Sequence, residues 1–166
     1  MSKGKESSAG AMNRTTVERK SDRELVVTRT FNAPVHIVFE AWSKPELFRL
    51  WWVPKSAGMS LVSCDMDVRT GGGYRLVFRH PAFDQPMTFF GRYKEVTPNK
   101  RLVWTNEESD QGALTTVTFE ENAGKTFVTL HETYPTTAAL EEALVGSADG
   151  LPEQFAQLDV LLAGTS

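Results

Sequence analysis

The sequence has almost no means of cross-linking itself. Its single cysteine, Cys64, excludes an intramolecular disulfide, and with three histidines it leaves few ligands for a structural zinc site. Long apolar runs are also missing, and none approaches the roughly 20 residues of a membrane-spanning helix. Positive charge is not in excess: 18 Lys plus Arg stand against 21 Asp plus Glu, for a net charge of −3. A nucleic-acid protein should instead carry a basic face. There is no Gly-x-Ser-x-Gly or Ser-x-x-Lys nucleophile motif, no internal repeat and no continuous apolar stretch like a secretory signal. What remains is an ordinary composition, 40% apolar and 23% charged over 166 residues. It fits one domain in a reducing cytoplasm.

Residues 1–22 read as a disordered tail and 23–166 as a single folded domain. Ser, Lys, Gly, Glu, Thr and Arg dominate the tail, which cannot bury enough surface to offset its ordering entropy. Beyond it, Leu25 to Phe31 is a strand rich in β-branched residues. Pro34 suits a helix first turn, where its missing N–H costs nothing. Val35, Val38, Phe39 and Trp42 then follow at helical spacing. Ser43-Lys44-Pro45-Glu46 fits a capping box, with Ser43 as N-cap of a second short helix. Strands follow over Met59–Val68, Tyr74–Arg79, Met87–Val96, Arg101–Asn106, Ala113–Glu121 and Lys125–Thr133. Each has one apolar face. Leu140, Leu144, Leu151, Phe155, Leu158 and Leu162 then return to helical spacing, interrupted by Gly146, Gly150 and Pro152. Two helices are expected, about 137–145 and 150–163. A run of strands bounded by helices reads as α+β.

Few residues carry obvious chemistry. Gly71-Gly72-Gly73 lacks the following Lys-Ser or Lys-Thr of a phosphate loop and reads as a turn needing positive φ. Asp67 and Arg69 share parity and could brace that turn. Cys64 has no local base to activate it. His36, His80 and His131 have no metal-ligand spacing, so neither a metal nor a cofactor is expected. His131 would face inward if Phe127 and Thr129 do, but Val128 and Leu130 make the facing of that strand ambiguous. Tyr74, Phe78, Phe89, Tyr93, Trp104 and Phe119 fall on the faces expected to point inward. Such aromatics either pack a core or line a pocket for an apolar ligand.

Several segments, in order, resemble the START-like helix-grip (SRPBCC) superfamily. They are most similar to the branch named after the activator of the ninety-kilodalton heat-shock chaperone ATPase. They are Val27 to Pro34, Phe39 to Glu46, Trp51-Trp52, Asp67 to Gly72, Gly91 to Val96, Arg101 to Thr105, and Gly150-Leu151 followed by Phe155 and Leu158-Asp159. One departure is Leu151-Pro152, where the family often has Trp after the glycine. The resemblance implies a helix-grip fold, with an antiparallel sheet of about seven strands curved around a long C-terminal helix. Two short helices follow the first strand. It also implies a cavity between sheet and helix. The expected lining is Trp51, Trp52, Tyr74, Leu76, Phe78 and Phe89, together with Tyr93, Trp104, Val117, Phe119, Phe155 and Leu158.

Three functions are compatible with that fold. The first is non-catalytic binding of a hydrophobic or amphipathic small molecule, which cavity-narrowing changes such as Leu76→Trp or Thr116→Trp would abolish if those residues point inward. The second is a chaperone-associated module in a stress response, with a chaperone or a second copy of the chain as partner. The third is a cyclase-like enzyme, which would need at least two titratable groups converging in the cavity. The residues single out no catalytic set.

Overall fold

Alternation of buried and exposed residues builds the sheet. The computed structural model describes residues 15–145 and 150–165. The strands are β1 (Thr16–Arg19), β2 (Glu24–Phe31), β3 (Ser60–Met66), β4 (Gly73–Arg79), β5 (Met87–Thr97), β6 (Arg101–Thr105), β7 (Leu114–Asn122) and β8 (Lys125–Thr133). They form one antiparallel sheet in the order β1-β2-β8-β7-β6-β5-β4-β3. In β2 every second residue, Leu25, Val27, Arg29 and Phe31, is buried. In β7 and β8 the matching face carries Thr115, Val117 and Phe119, and Thr126, Val128 and Leu130. From β3 to β8 each strand pairs with the next, and β8 then meets β2. The crossing from β2 to β3 at the far edge is made by helices α1 (Val35–Ser43) and α2 (Pro45–Phe48) and a 3-10 turn at Lys55–Ala57. Helices α3 (Thr137–Val145) and α4 (Leu151–Thr165) complete the chain.

The two C-terminal helices fall where the leucine spacing placed them. The break expected between them, 146–149, lies outside the described residues. In α4, Leu151, Phe155, Leu158 and Leu162 are buried, and the helix packs on α1 and β2. Arg29 on β2 reaches Asp159 on α4 at 3.2 Å, with its side chain only 10% exposed. In α1, Val38, Phe39, Ala41 and Trp42 are buried. Trp42 is the hub of this region. Its ring lies 4.8 Å from Trp51, 6.2 Å from Trp52 and from Trp104, 6.0 Å from Phe119 and 5.9 Å from Phe155. One side chain therefore joins α1, the Trp pair, the sheet and α4.

Two expectations change. The sequence predicts Ser43 as a helix cap. Instead Lys44 occupies that position with no side-chain cap. Ser43 is the last residue of α1 and its hydroxyl donates back to the Phe39 carbonyl at 2.8 Å. An N-cap needs extended backbone, which Lys44 has and Ser43, still inside α1, does not. The second change is in the expected tail. Residues 1–14 lie outside the described residues, and within 15–22 Thr16–Arg19 is a strand, with Thr16 opposite Thr28 and Arg19 opposite Leu25. All four residues are exposed. This eighth strand is held by backbone pairing to the open edge of β2, which composition does not report.

The turn between β3 and β4 is braced as its residues suggest. Arg69 Nε lies 2.9 and 3.0 Å from the two Asp67 carboxylate oxygens. Gly71 has φ +90°, and a Cβ at Gly72 would lie 2.1 Å from the Asp67 carbonyl oxygen.

Candidate functional site

The sheet's inner face divides into two halves. Over most of β2, β8 and β7, short of the C-terminal end of β8, it is filled by α1 and α4. Over β6, β5, β4 and β3 it is not, and a cavity of about 850 Å³ opens there. Of the expected lining, Trp52, Tyr74, Leu76 and Phe78 border the cavity, as do Phe89, Tyr93 and Trp104. The other five do not. Trp51, Val117, Phe119, Phe155 and Leu158 are packed in the core, where Trp42 meets Trp51, Phe119 and Phe155. Phe155 sits 5.8 Å from the Phe31 ring. Of the two adjacent tryptophans, Trp51 is fully buried and its indole N–H donates to the Ala41 carbonyl at 2.9 Å, while Trp52 faces the cavity. Thr116 shares the outer face with His131, its partner across the ladder. Thr116 thus does not meet the condition set for a cavity-narrowing substitution, because the buried residues of β7 are its neighbours Thr115 and Val117.

His131 does not point inward either. The buried parity of β8 is Thr126, Val128 and Leu130, so the His131 ring lies on the other face. There its Nε2 is 2.8 Å from the Glu24 carboxylate. Cys64 is half-buried against the core, and burial pushes its thiol up from its ordinary value. That is opposite to what a reactive thiolate needs.

The residue that parity does place inside is Glu132, two positions beyond Leu130. It lines the cavity. Tyr134 donates to Oε1 at 2.7 Å and Thr115 donates to Oε2 at 3.2 Å. Thr115 can spend its proton this way because its oxygen accepts from Asn106 Nδ2 at 3.1 Å. Asn106 Nδ2 also donates to the Ala113 carbonyl at 2.7 Å. Asn106 Oδ1 lies 3.1 Å from the Tyr74 hydroxyl, which is 2.7 Å from the Thr105 carbonyl. A continuous polar chain thus runs from Tyr74 through Asn106 and Thr115 to Glu132 and Tyr134. Burial raises the Glu132 carboxyl above its ordinary 4.5, against the opposing pull of the Tyr134 and Thr115 hydroxyls and of His131. Burial likewise pushes the phenols of Tyr74, Tyr93 and Tyr134 up, so all three stay neutral donors.

The start of α4 closes another part of the wall. Gln154 donates to the Trp52 carbonyl, and Gln157 Nε2 donates to the Trp51 and Val53 carbonyls at 3.0 and 2.8 Å. The Glu153 carboxylate accepts from the backbone N–H of Ser56 at 3.0 Å and from its hydroxyl. Leu151, the departure from the family pattern, is buried and borders the cavity. The exposed Ser109, Gln111 and Glu142 lie where the cavity meets solvent. Among the described residues no group of three or more His, Cys, Asp or Glu could hold a metal ion. No helix among them is long and apolar enough to cross a membrane.

Residues 32–163 match the family described as Activator of Hsp90 ATPase homolog 1-like protein. The chain belongs to that family. Solved structures agree with its fold. A Staphylococcus epidermidis protein is 29% identical, with a TM-score of 0.76 over 91% of this chain and 95% of that one. A Nitrosomonas europaea protein is 25% identical, with a TM-score of 0.78 over 89% and 98%. A Rhodobacter sphaeroides protein, at 24% identity, superposes with a TM-score of 0.80 over 92% and 99%. No curated protein matches the chain. Family membership therefore supplies the START-like architecture.

Proposed function

We propose that this protein binds a hydrophobic or amphipathic small molecule in the cavity between sheet and C-terminal helix, without altering it. The observation that carries this is a cavity of about 850 Å³ whose floor is aromatic and aliphatic side chains, with a part-buried polar chain and a few further polar groups on its wall. Sites for organic ligands have that character: apolar walls supply affinity and a few fixed polar groups supply orientation. A ligand burying about 300 Å² of apolar surface there gains roughly 7 kcal/mol before ordering costs. A second reading is acid–base catalysis on the bound molecule, favoured by the raised carboxyl of Glu132 beside Tyr134. The chaperone action named in the family's description has no separate support from the cavity.

The test is native mass spectrometry of gently purified protein, followed by denaturation and identification of what is released. Leu76→Trp is the matching variant, since Leu76 is 5% exposed and faces the cavity from the centre of β4. The expected result is a released apolar molecule that the variant, folded by circular dichroism, no longer retains. Equal retention by the variant, with its cavity shown to be filled, would overturn the reading. Turnover of the released molecule by wild-type protein would move the assignment to the catalytic reading.

A further inference from the structure

The cavity wall is one-signed. Among the described residues it carries four carboxylates, Glu108, Glu132, Glu142 and Glu153, and no Lys, Arg or His. Two of these are committed locally. Glu153 is held by Ser56, and Glu108 accepts the Phe90 backbone N–H at 3.2 Å. Glu132 is different, because its partners are arranged to keep it an acceptor. Asn106 donates to Thr115, which frees the threonine proton for Oε2, and Tyr134 serves Oε1. An ionised carboxylate offers about four acceptor sites, so two remain for donors on a bound molecule. Around the same space stand Trp52, Tyr74, Tyr93 and Trp104. The faces of such rings attract organic cations.

We infer that the cavity selects a hydrophobic amine, whose ammonium group is held by Glu132 and the aromatic walls, and discriminates against apolar carboxylates and phosphates. This rests on the proposed binding function and narrows it. Four acidic side chains and no cation repel an anionic head group, and a buried carboxylate lacking a counter-charge is relieved by a positive one. A neutral alcohol of the same shape would still enter and could donate its O–H to the carboxylate, but without the attraction between opposite charges.

The probes are phenylbutylamine, phenylbutanol and phenylbutanoate, titrated calorimetrically into the full chain at neutral pH, with Glu132→Gln and Leu76→Trp in parallel. The expected affinity order is amine, alcohol, carboxylate, with the amine about tenfold or more ahead of the alcohol. In Glu132→Gln that advantage should shrink to within about threefold, with folding of the variant checked by circular dichroism. Phenylbutanoate binding as tightly as the amine, or an undiminished amine preference in Glu132→Gln, would overturn the inference and leave the cavity reading standing. Binding of amine and alcohol that Leu76→Trp does not weaken, or no binding of any probe, would overturn the cavity reading and this inference with it.

Discussion

Glu132→Gln also makes a stability prediction that needs no ligand. In the unfolded chain this carboxyl titrates near its ordinary 4.5; in the folded protein burial raises it. Between those two values the folded state keeps a proton that the unfolded state has released. Stability therefore falls as pH rises through that window, by up to about 1.4 kcal/mol per pH unit, and is constant above it. The variant has no such slope. Below the window it is the weaker protein. Its amide oxygen still accepts from Tyr134, but its NH₂ faces Thr115 Oγ1, which must turn its proton elsewhere; the loss is about 1 kcal/mol. Above the window the variant becomes the more stable of the two once the folded value exceeds the ordinary one by more than about a unit. The assay is urea denaturation of both proteins from about pH 4 to about pH 8. Groups common to both cancel in the difference. A difference that stays flat across that range would refute the placement of Glu132 as a desolvated carboxyl.

Two further predictions concern the frame. Gly91→Ala would put a Cβ 2.0 Å from the Thr105 carbonyl oxygen, the same oxygen that accepts the Tyr74 hydroxyl. It should cost about 2–4 kcal/mol and alter the near-ultraviolet tyrosine signal; an unchanged melting temperature would count against so close an approach of β5 and β6. Asp159→Ala strands the Arg29 guanidinium, whose other side-chain hydrogen bond among the described residues is to the Thr15 hydroxyl at 3.0 Å. Because Asp159 is itself 28% exposed, the loss should be about 2 kcal/mol rather than that of a fully buried pair. A shift under about 0.5 kcal/mol in denaturant titration would show that the pair contributes little.

Strand parity made most of the sheet legible. Tyr74, Leu76 and Phe78 alternate cleanly with Arg75 and Arg79, and they do face the cavity. β8 was harder, because Phe127 and Val128 are both apolar and only pairing decides between them. The usable signal was Thr126, Val128 and Leu130 opposite Phe31, Arg29 and Val27. Extended by two residues, the same parity brings Glu132 inside, and nothing in its immediate neighbours marks it. The five expected lining residues that lie in the core share one reason. Facing inward is a property of a strand or a helix, but facing empty space depends on where another element stops. Val117 and Phe119 face inward as expected, and α1 is already there, with Phe39 against Phe119.

That division of the inner face also explains why the polar chain sits where it does. Tyr74, Asn106, Thr115, Glu132 and Tyr134 come from β4, the end of β6, β7 and the end of β8. They lie where the filled half gives way to the cavity. Buried in the filled half, a carboxyl would need both oxygens fully satisfied by protein, at a desolvation cost that attraction rarely recovers. On the outer face it would be solvated and indifferent. At the boundary, Thr115 and Tyr134 satisfy part of its hydrogen-bonding capacity and the cavity receives the rest. The apolar half of the same face, with Val27, Val117, Leu130 and Leu158 fully buried, holds the sheet and α4 together regardless of what the cavity contains. Stability and recognition thus draw on different residues of one surface. A polar group can stand at the edge of the cavity because the packing beside it does not depend on that group.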